Sequence, residues 1–324
     1  MKKLLIECWL TNETGTRLSR LNIMRITQRM TNLQCQIPRE FQRAATQSLG
    51  LIKKWKATEY RFFLLYCGPF VLKDILPVDQ YEHFLYLFVA MRILCCKSLI
   101  KKFVSHAQIY LERFVLQSAI LYKLEFLSSN IHSLIHLVQD AIFFNCTLSQ
   151  ITTFSFESLL GRIKKRLRSG RMPLKQLCNR LHEEWSIPNE KATIPPKLKV
   201  LKIKKNTKKS SEKVIQSLEY NGFFLSNKNP DNCLFLKNKN FLLISKMCYV
   251  KNEIKIFGKT FSKLSSAFDH PTSSSDLNIY KSSGNFDETI SISLNDIECK
   301  ALHLSIYELD DDQKDQYLIP MLHS

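Results

Sequence analysis

The apolar positions of this chain change rhythm once, and the change divides it. In the first half they recur at helical spacing. The stretch "SLIKKFVSHAQIYLERFVLQSAILY", residues 98–122, repeats every 3–4 positions and predicts a long helix. "PVDQYEHFLYLFVAMRILCC", residues 77–96, is apolar almost all round, which predicts a core helix with Pro77 at its start. "WKATEYRFFLLYCGPFVLKDIL" predicts a helix near 57–67, then a turn or kink at Gly68-Pro69. Shorter helices are expected near 129–144, 155–168 and 173–185, with Gly170 and Pro173 separating the last two.

After residue 213 the texture is different. "CLFLK", "FLLISKMCYV", "EIKIFGKTF", "LNIYK", "TISISL" and "ALHLSIYEL" are short runs rich in Ile, Leu and aromatics, with Asn, Gly and Ser between them. That pattern predicts strands. Between the halves, "PNEKATIPPKLKVLKIKKNTKKSSEK", residues 188–213, reads as a basic Pro/Lys linker. The expected class is α+β: a mostly helical region over 1–187, the linker, and a small all-β domain over 214–324. The composition break predicts two units that fold independently. No internal repeat is found.

Charge sharpens the division. The 324-residue chain carries a net charge of +18. Residues 1–190 contribute +13, residues 191–213 contribute +8, and residues 214–324 contribute −3. An excess of this kind points to polyanionic partners, and it sits on the helical part and linker. The ten cysteines form no CxxC pair and no zinc spacing, which predicts reduced thiols in an intracellular protein. Residues 3–6 are too short an apolar run for a signal peptide. The apolar stretch from Phe84 to Cys96 holds Arg92 and is too short to span a bilayer, so no membrane partner is expected.

The densest cations lie in "TTFSFESLLGRIKKRLRSGRMPL", residues 152–174. On a helical wheel of about 100° per residue, Phe156, Leu159, Leu160, Ile163 and Leu167 share one sector. Arg162, Lys164, Lys165, Arg166, Arg168 and Arg171 take most of the rest. One acid, Glu157, stands near the start. Leu160 and Gly161 occupy its i+3 and i+4 positions, so it is not an ordinary helical ion pair. The helix dipole alone explains an acid in a first turn.

Other candidate chemistry is weaker. His132 and His136 in "HSLIH" have i, i+4 metal-ligand spacing, but Ser133 stands where a zinc protease needs Glu. They are read as core or supporting histidines, with Asp140 as a neighbour on the same helix. "FGKT", residues 257–260, lacks the Gly-rich turn of a phosphate loop.

The segments "IPREFQR", "WKATEYRFFLLYCGPFVLKDILP", "HFLYLFVAMRILC", "NIHSLIHLVQDAIFF" and "FSFESLLGRIKKRLRSGRMPLKQL" occur in that order. Taken together they resemble the C-terminal half of transposases of animal CACTA (En/Spm-like) DNA transposons, over roughly residues 1–185. The resemblance implies part of an RNase H-like core, in which three carboxylates hold two magnesium ions for strand cleavage and joining. Glu157 stands where "PFE" of the family pattern places the third carboxylate, with His132, His136 and Asp140 as its candidate neighbours at a metal site. This chain has Phe154, Ser155, Phe156, Glu157 and Ser158 where the pattern reads roughly "FPFEN". The first two catalytic aspartates lie upstream in such proteins, and "MKKLLIECWL" is similar to the segment just after the second. The resemblance therefore implies an N-terminally truncated remnant, inactive alone and needing no cofactor. It would bind DNA without sequence preference through the basic helix and linker, in the nucleus. The alternatives are a protein-interaction module acting through the β domain, and a metal-dependent nuclease.

Overall fold

A computed structural model describes residues 1–11, 16–41, 48–186, 198–203, 213–251, 253–307 and 314–322. Among these residues the helices are α1 (Arg20–Asn32), α2 (Ala57–Phe62), α3 (Gly68–Leu72), α4 (Val78–Cys95) and α5 (Lys97–Tyr122). They continue with α6 (Ser129–His132), α7 (Leu137–Phe143), α8 (Phe154–Arg166) and α9 (Pro173–Ser186). The strands are β1 (Leu198–Ile203), β2 (Val214–Tyr220), β3 (Phe223–Ser226), β4 (Cys233–Leu236), β5 (Phe241–Val250) and β6 (Glu253–Phe261). After them come β7 (Leu264–Ser266), β8 (Tyr280–Ser282), β9 (Phe286–Ser293), β10 (Ile297–Tyr307) and β11 (Lys314–Pro320). Helices thus fill the N-terminal part and an antiparallel sheet fills the C-terminal part, as the α+β reading expects.

Pro77 and the apolar run after it set the centre of the helical part. Pro77 caps α4, whose side chains are buried nearly all round, as its sequence demands. α5 buries Leu99, Ala107, Tyr110, Leu111, Phe114, Ser118 and Tyr122 along one side. His83 of α4 stacks on Phe114 at 4.2 Å, and its Nε2–H donates to the Phe114 carbonyl at 2.8 Å. Burial holds its imidazole down at about 4, so it is neutral in the folded protein. A lowered histidine contributes stability that is present above its unfolded value of 6.5 and lost as pH falls towards 4. Chemical denaturation of wild type should therefore lose about 3 kcal/mol across that window. His83→Gln should flatten the loss, and an equal slope in the variant would contradict it.

At the Gly68-Pro69 step, where a turn or kink is expected, the backbone stays helical. α2 passes through a wide helical turn at Phe63–Cys67 into α3, with Pro69 in its first turn. A proline is tolerated there because that N–H has no helical partner. Gly68 is needed for closeness: a Cβ would lie 2.7 Å from both the Phe63 carbonyl oxygen and Phe84 Cζ. The 129–144 helix is also interrupted, by a tighter turn at Ser133–His136.

In the sheet, the main path is β1-β2-β5-β4-β10-β11-β8-β7. β3 pairs with β2, and β6 joins β5 to β9. β1 lies inside the stretch read as linker, where it pairs antiparallel with β2 from Leu198↔Tyr220 to Ile203↔Ile215. Its lysines hid a strand whose Leu and Val positions carry the pattern. The rest of that stretch before Lys213 lies outside the described residues.

The two parts share one core. A single apolar cluster runs from Leu4 of the helical part to Met321 beyond β11. Phe70 stacks on Tyr317 at 4.3 Å, and Phe88 meets Phe268 edge-on at 5.9 Å. Arg92, fully buried in α4, donates to the Leu65 carbonyl at 3.2 Å and across the interface to the Pro320 carbonyl at 3.1 Å. The Tyr66 hydroxyl accepts the Leu322 N–H at 3.1 Å. Gln36 exchanges both amide bonds with the Ser305 backbone, at 2.6 and 3.0 Å. Independent folding, expected from composition, meets an interface built like a domain interior.

Candidate nucleic-acid interface

Thr153 precedes α8, and its carbonyl accepts the N–H groups of Phe156 and Glu157 at 3.0 and 3.1 Å. Glu157 sits in the first turn, and Lys164, Lys165 and Arg166 sit in the last. That order complements the helix dipole at both ends. α8 closes against α9 through a turn that one side chain organises. Gln176 Oε1 accepts the Arg168 N–H at 3.0 Å. Its Nε2 donates to Ser169 Oγ at 3.0 Å and to the Arg171 carbonyl at 2.5 Å. Gln176 thus fixes the backbone that presents Arg168 and Arg171. Sequence reasoning missed it; the available signal was a polar residue in the turn after Pro173, within reach of the preceding loop.

Arg162, Lys164, Lys165, Arg168 and Arg171 are exposed, and Arg166 is half-buried. Among the described residues, no carboxylate pairs with the first five; an ion pair on α9 joins Arg180 and Glu183 at 2.7 Å. The apolar stripe of α8 is also open. Phe156, Leu159 and Leu160 are 65%, 41% and 64% exposed, and only Ile163 and Leu167 are partly covered. Arg61 reaches the base of the hairpin, its guanidinium 5.8 Å from the Phe154 ring centre.

Gly161 lies mid-helix with nothing within 4 Å of a Cβ placed there. Gly161→Ala should therefore stabilise α8 by about 0.5–1 kcal/mol. Amide hydrogen exchange across α8 should slow by several-fold; unchanged or faster exchange would contradict an open helix face.

His132 and His136 are exposed, with rings 5.3 Å apart and edge-to-face. They are not core histidines: the interrupted helix turns them outward. Asp140 is exposed as well. The four candidates lie on different elements, Glu157 on α8, His132 on α6, His136 in the tight turn and Asp140 on α7. Among the described residues, no group of three or more His, Cys, Asp and Glu is placed to hold a metal ion. The residues present do not fit a two-magnesium centre, which needs clustered carboxylate oxygens.

"FGKT" lies inside β6, where a Cβ at Gly258 would strike the Leu243 carbonyl oxygen and the Leu242 side chain. It is a strand glycine required by close approach. All ten cysteines are free thiols. No helix among the described residues is long and apolar enough to cross a membrane.

Residues 200–321 match the family described as a domain of unknown function, DUF8592. No curated protein and no solved structure matches the chain. The matched segment begins within β1 and ends just past β11. Its start agrees with the sheet, in which β1 is a paired strand. The α8–α9 hairpin lies outside it.

Proposed function

We propose that this chain is a transposase-derived DNA-binding protein that grips the phosphate backbone through the α8–α9 hairpin. The observation that carries the reading is the set of exposed cations, Arg162, Lys164, Lys165, Arg168 and Arg171, that no carboxylate neutralises among the described residues. Such cations attract phosphates, and phosphate contacts carry no sequence information, so binding is non-specific. Lys199 and Lys202, exposed on β1, add to the positive field. The lysines at 204–209, a candidate nuclear-import signal, lie outside the described residues. The order of family-like motifs supports the transposase origin, and Glu157 is the remnant of its third carboxylate.

Strand cleavage is not part of the proposal, because one exposed glutamate is a poor magnesium site. The test has two arms. Purified chain should retard a labelled duplex in low salt and release it as salt rises. It should not nick supercoiled plasmid with magnesium or manganese. Glu157→Gln should bind DNA as well as wild type or slightly better. Metal-dependent nicking that Glu157→Gln abolishes would overturn the non-catalytic reading, and absence of retardation would overturn DNA binding itself.

A further inference from the structure

The basic face of α8 accounts for phosphates and leaves its apolar face unexplained. Phe156, Leu159 and Leu160 point outward along one stripe. On a wheel of about 100° per residue, Lys164 lies about 40° outside Leu160 on one side, and Arg162 lies about 60° outside Leu159 on the other, beyond the half-buried Arg166. These two cations flank the apolar track and both are exposed, with Glu157 the one acid on the Lys164 side, near the start of the helix. A phosphate held at either margin places whatever it carries over the stripe.

Duplex DNA fills such a site poorly. Its bases stack inside the helix, so phosphates at Arg162 and Lys164 would leave Phe156 and both leucines in water. A strand with unpaired bases offers the same phosphates and also free base faces. Every base has an apolar face, so stacking on an aromatic ring needs no particular sequence. Phe156 supplies a ring and the leucines supply an apolar floor. A second exposed aromatic pair, Phe143 and Phe144 at 5.1 Å, closes the helix before this hairpin. Charge and apolar surface thus call for one polyanion with accessible apolar faces.

We infer that the preferred ligand of the α8 track is DNA with unpaired bases, held by Arg162 and Lys164 through phosphate and by Phe156, Leu159 and Leu160 through the bases. This rests on the DNA-binding reading and narrows its substrate class. Because the three apolar side chains are exposed, replacing them leaves the core intact.

The experiment is fluorescence anisotropy with labelled dT20 and a 20-base-pair duplex, on the full chain in moderate salt. Wild type should bind dT20 at least about fivefold more tightly than duplex. Phe156→Ala with Leu160→Ala should bring dT20 down to the duplex affinity and leave duplex binding within about twofold. Lys164→Ala with Lys165→Ala should weaken both. Equal wild-type affinities, or an apolar variant with unchanged dT20 binding, would overturn this inference while the DNA reading stands. Salt-dependent binding of neither DNA would overturn both. Tighter binding to phosphatidylserine vesicles than to dT20, lost in the apolar variant, would assign the stripe to lipid and also overturn the inference.

Discussion

Lys300→Met should destabilise the whole protein by about 3–5 kcal/mol, the cost of breaking a buried charge cluster from one side. Lys300 is completely buried on β10. Its Nζ donates to Asp231 Oδ1 at 2.6 Å, to Glu40 Oε2 at 2.8 Å and to the Phe224 carbonyl at 2.7 Å. Glu40 comes from the helical part, Phe224 from β3, and Asp231 from the loop between β3 and β4. Removing the ammonium leaves two largely buried carboxylates facing each other. Arg39, 3.6 Å from Asp231 Oδ2 and more than half exposed, compensates one of them in part. Adding Glu40→Gln and Asp231→Asn to Lys300→Met should recover much of the loss, because the uncompensated charges go with it. Because the core is shared, fluorescence of Trp9 and Trp55 in the helical part and amide hydrogen exchange of β10 in the sheet should report one transition in urea. A fluorescence transition left in place while the sheet signal moves would show two independent units.

Replacing Arg162, Lys164, Lys165 and Arg168 together with alanine should weaken duplex binding by roughly 10²–10³-fold at physiological salt. The size comes from counterion release: each phosphate contact adds about 0.9 to the slope of log affinity against log salt. None of the four side chains is buried, so the fold should survive. Unfolding midpoints separate a lost contact surface from a lost structure. Unchanged affinity in a folded variant would move the contact surface elsewhere, with Lys199 and Lys202 of β1 as the next cations to replace.

The elements legible in the sequence are those whose own pattern decides their state. α4 reads from Pro77 and an unbroken apolar run, α5 from its regular rhythm, and β5 and β6 from β-branched and aromatic runs with turn residues between them. β1 was hidden because lysines interrupt "LKVLKI", and composition outweighed alternation. The joining of the two parts was not legible at all. Glu40 and Lys300 lie 260 positions apart, as do the partners of Arg92 and Gln36 at comparable distances, and no local period encodes which faces meet. The histidines at 132 and 136 share one face at i, i+4 in a regular helix and read as core or supporting residues, yet around the tight turn between α6 and α7 both are exposed. At the candidate site the cations were legible as residues and α8 as a helix. That its apolar stripe stands open, and that Gln176 latches the turn, depends on what packs nearby.

The most direct test of the central claim is the salt slope for the intact chain on a duplex, set beside that of the four-alanine variant. The account predicts a steep fall for wild type, and a slope shallower by about three to four in the variant. Parallel slopes, or wild-type binding indifferent to salt, would contradict the hairpin as the phosphate-binding surface.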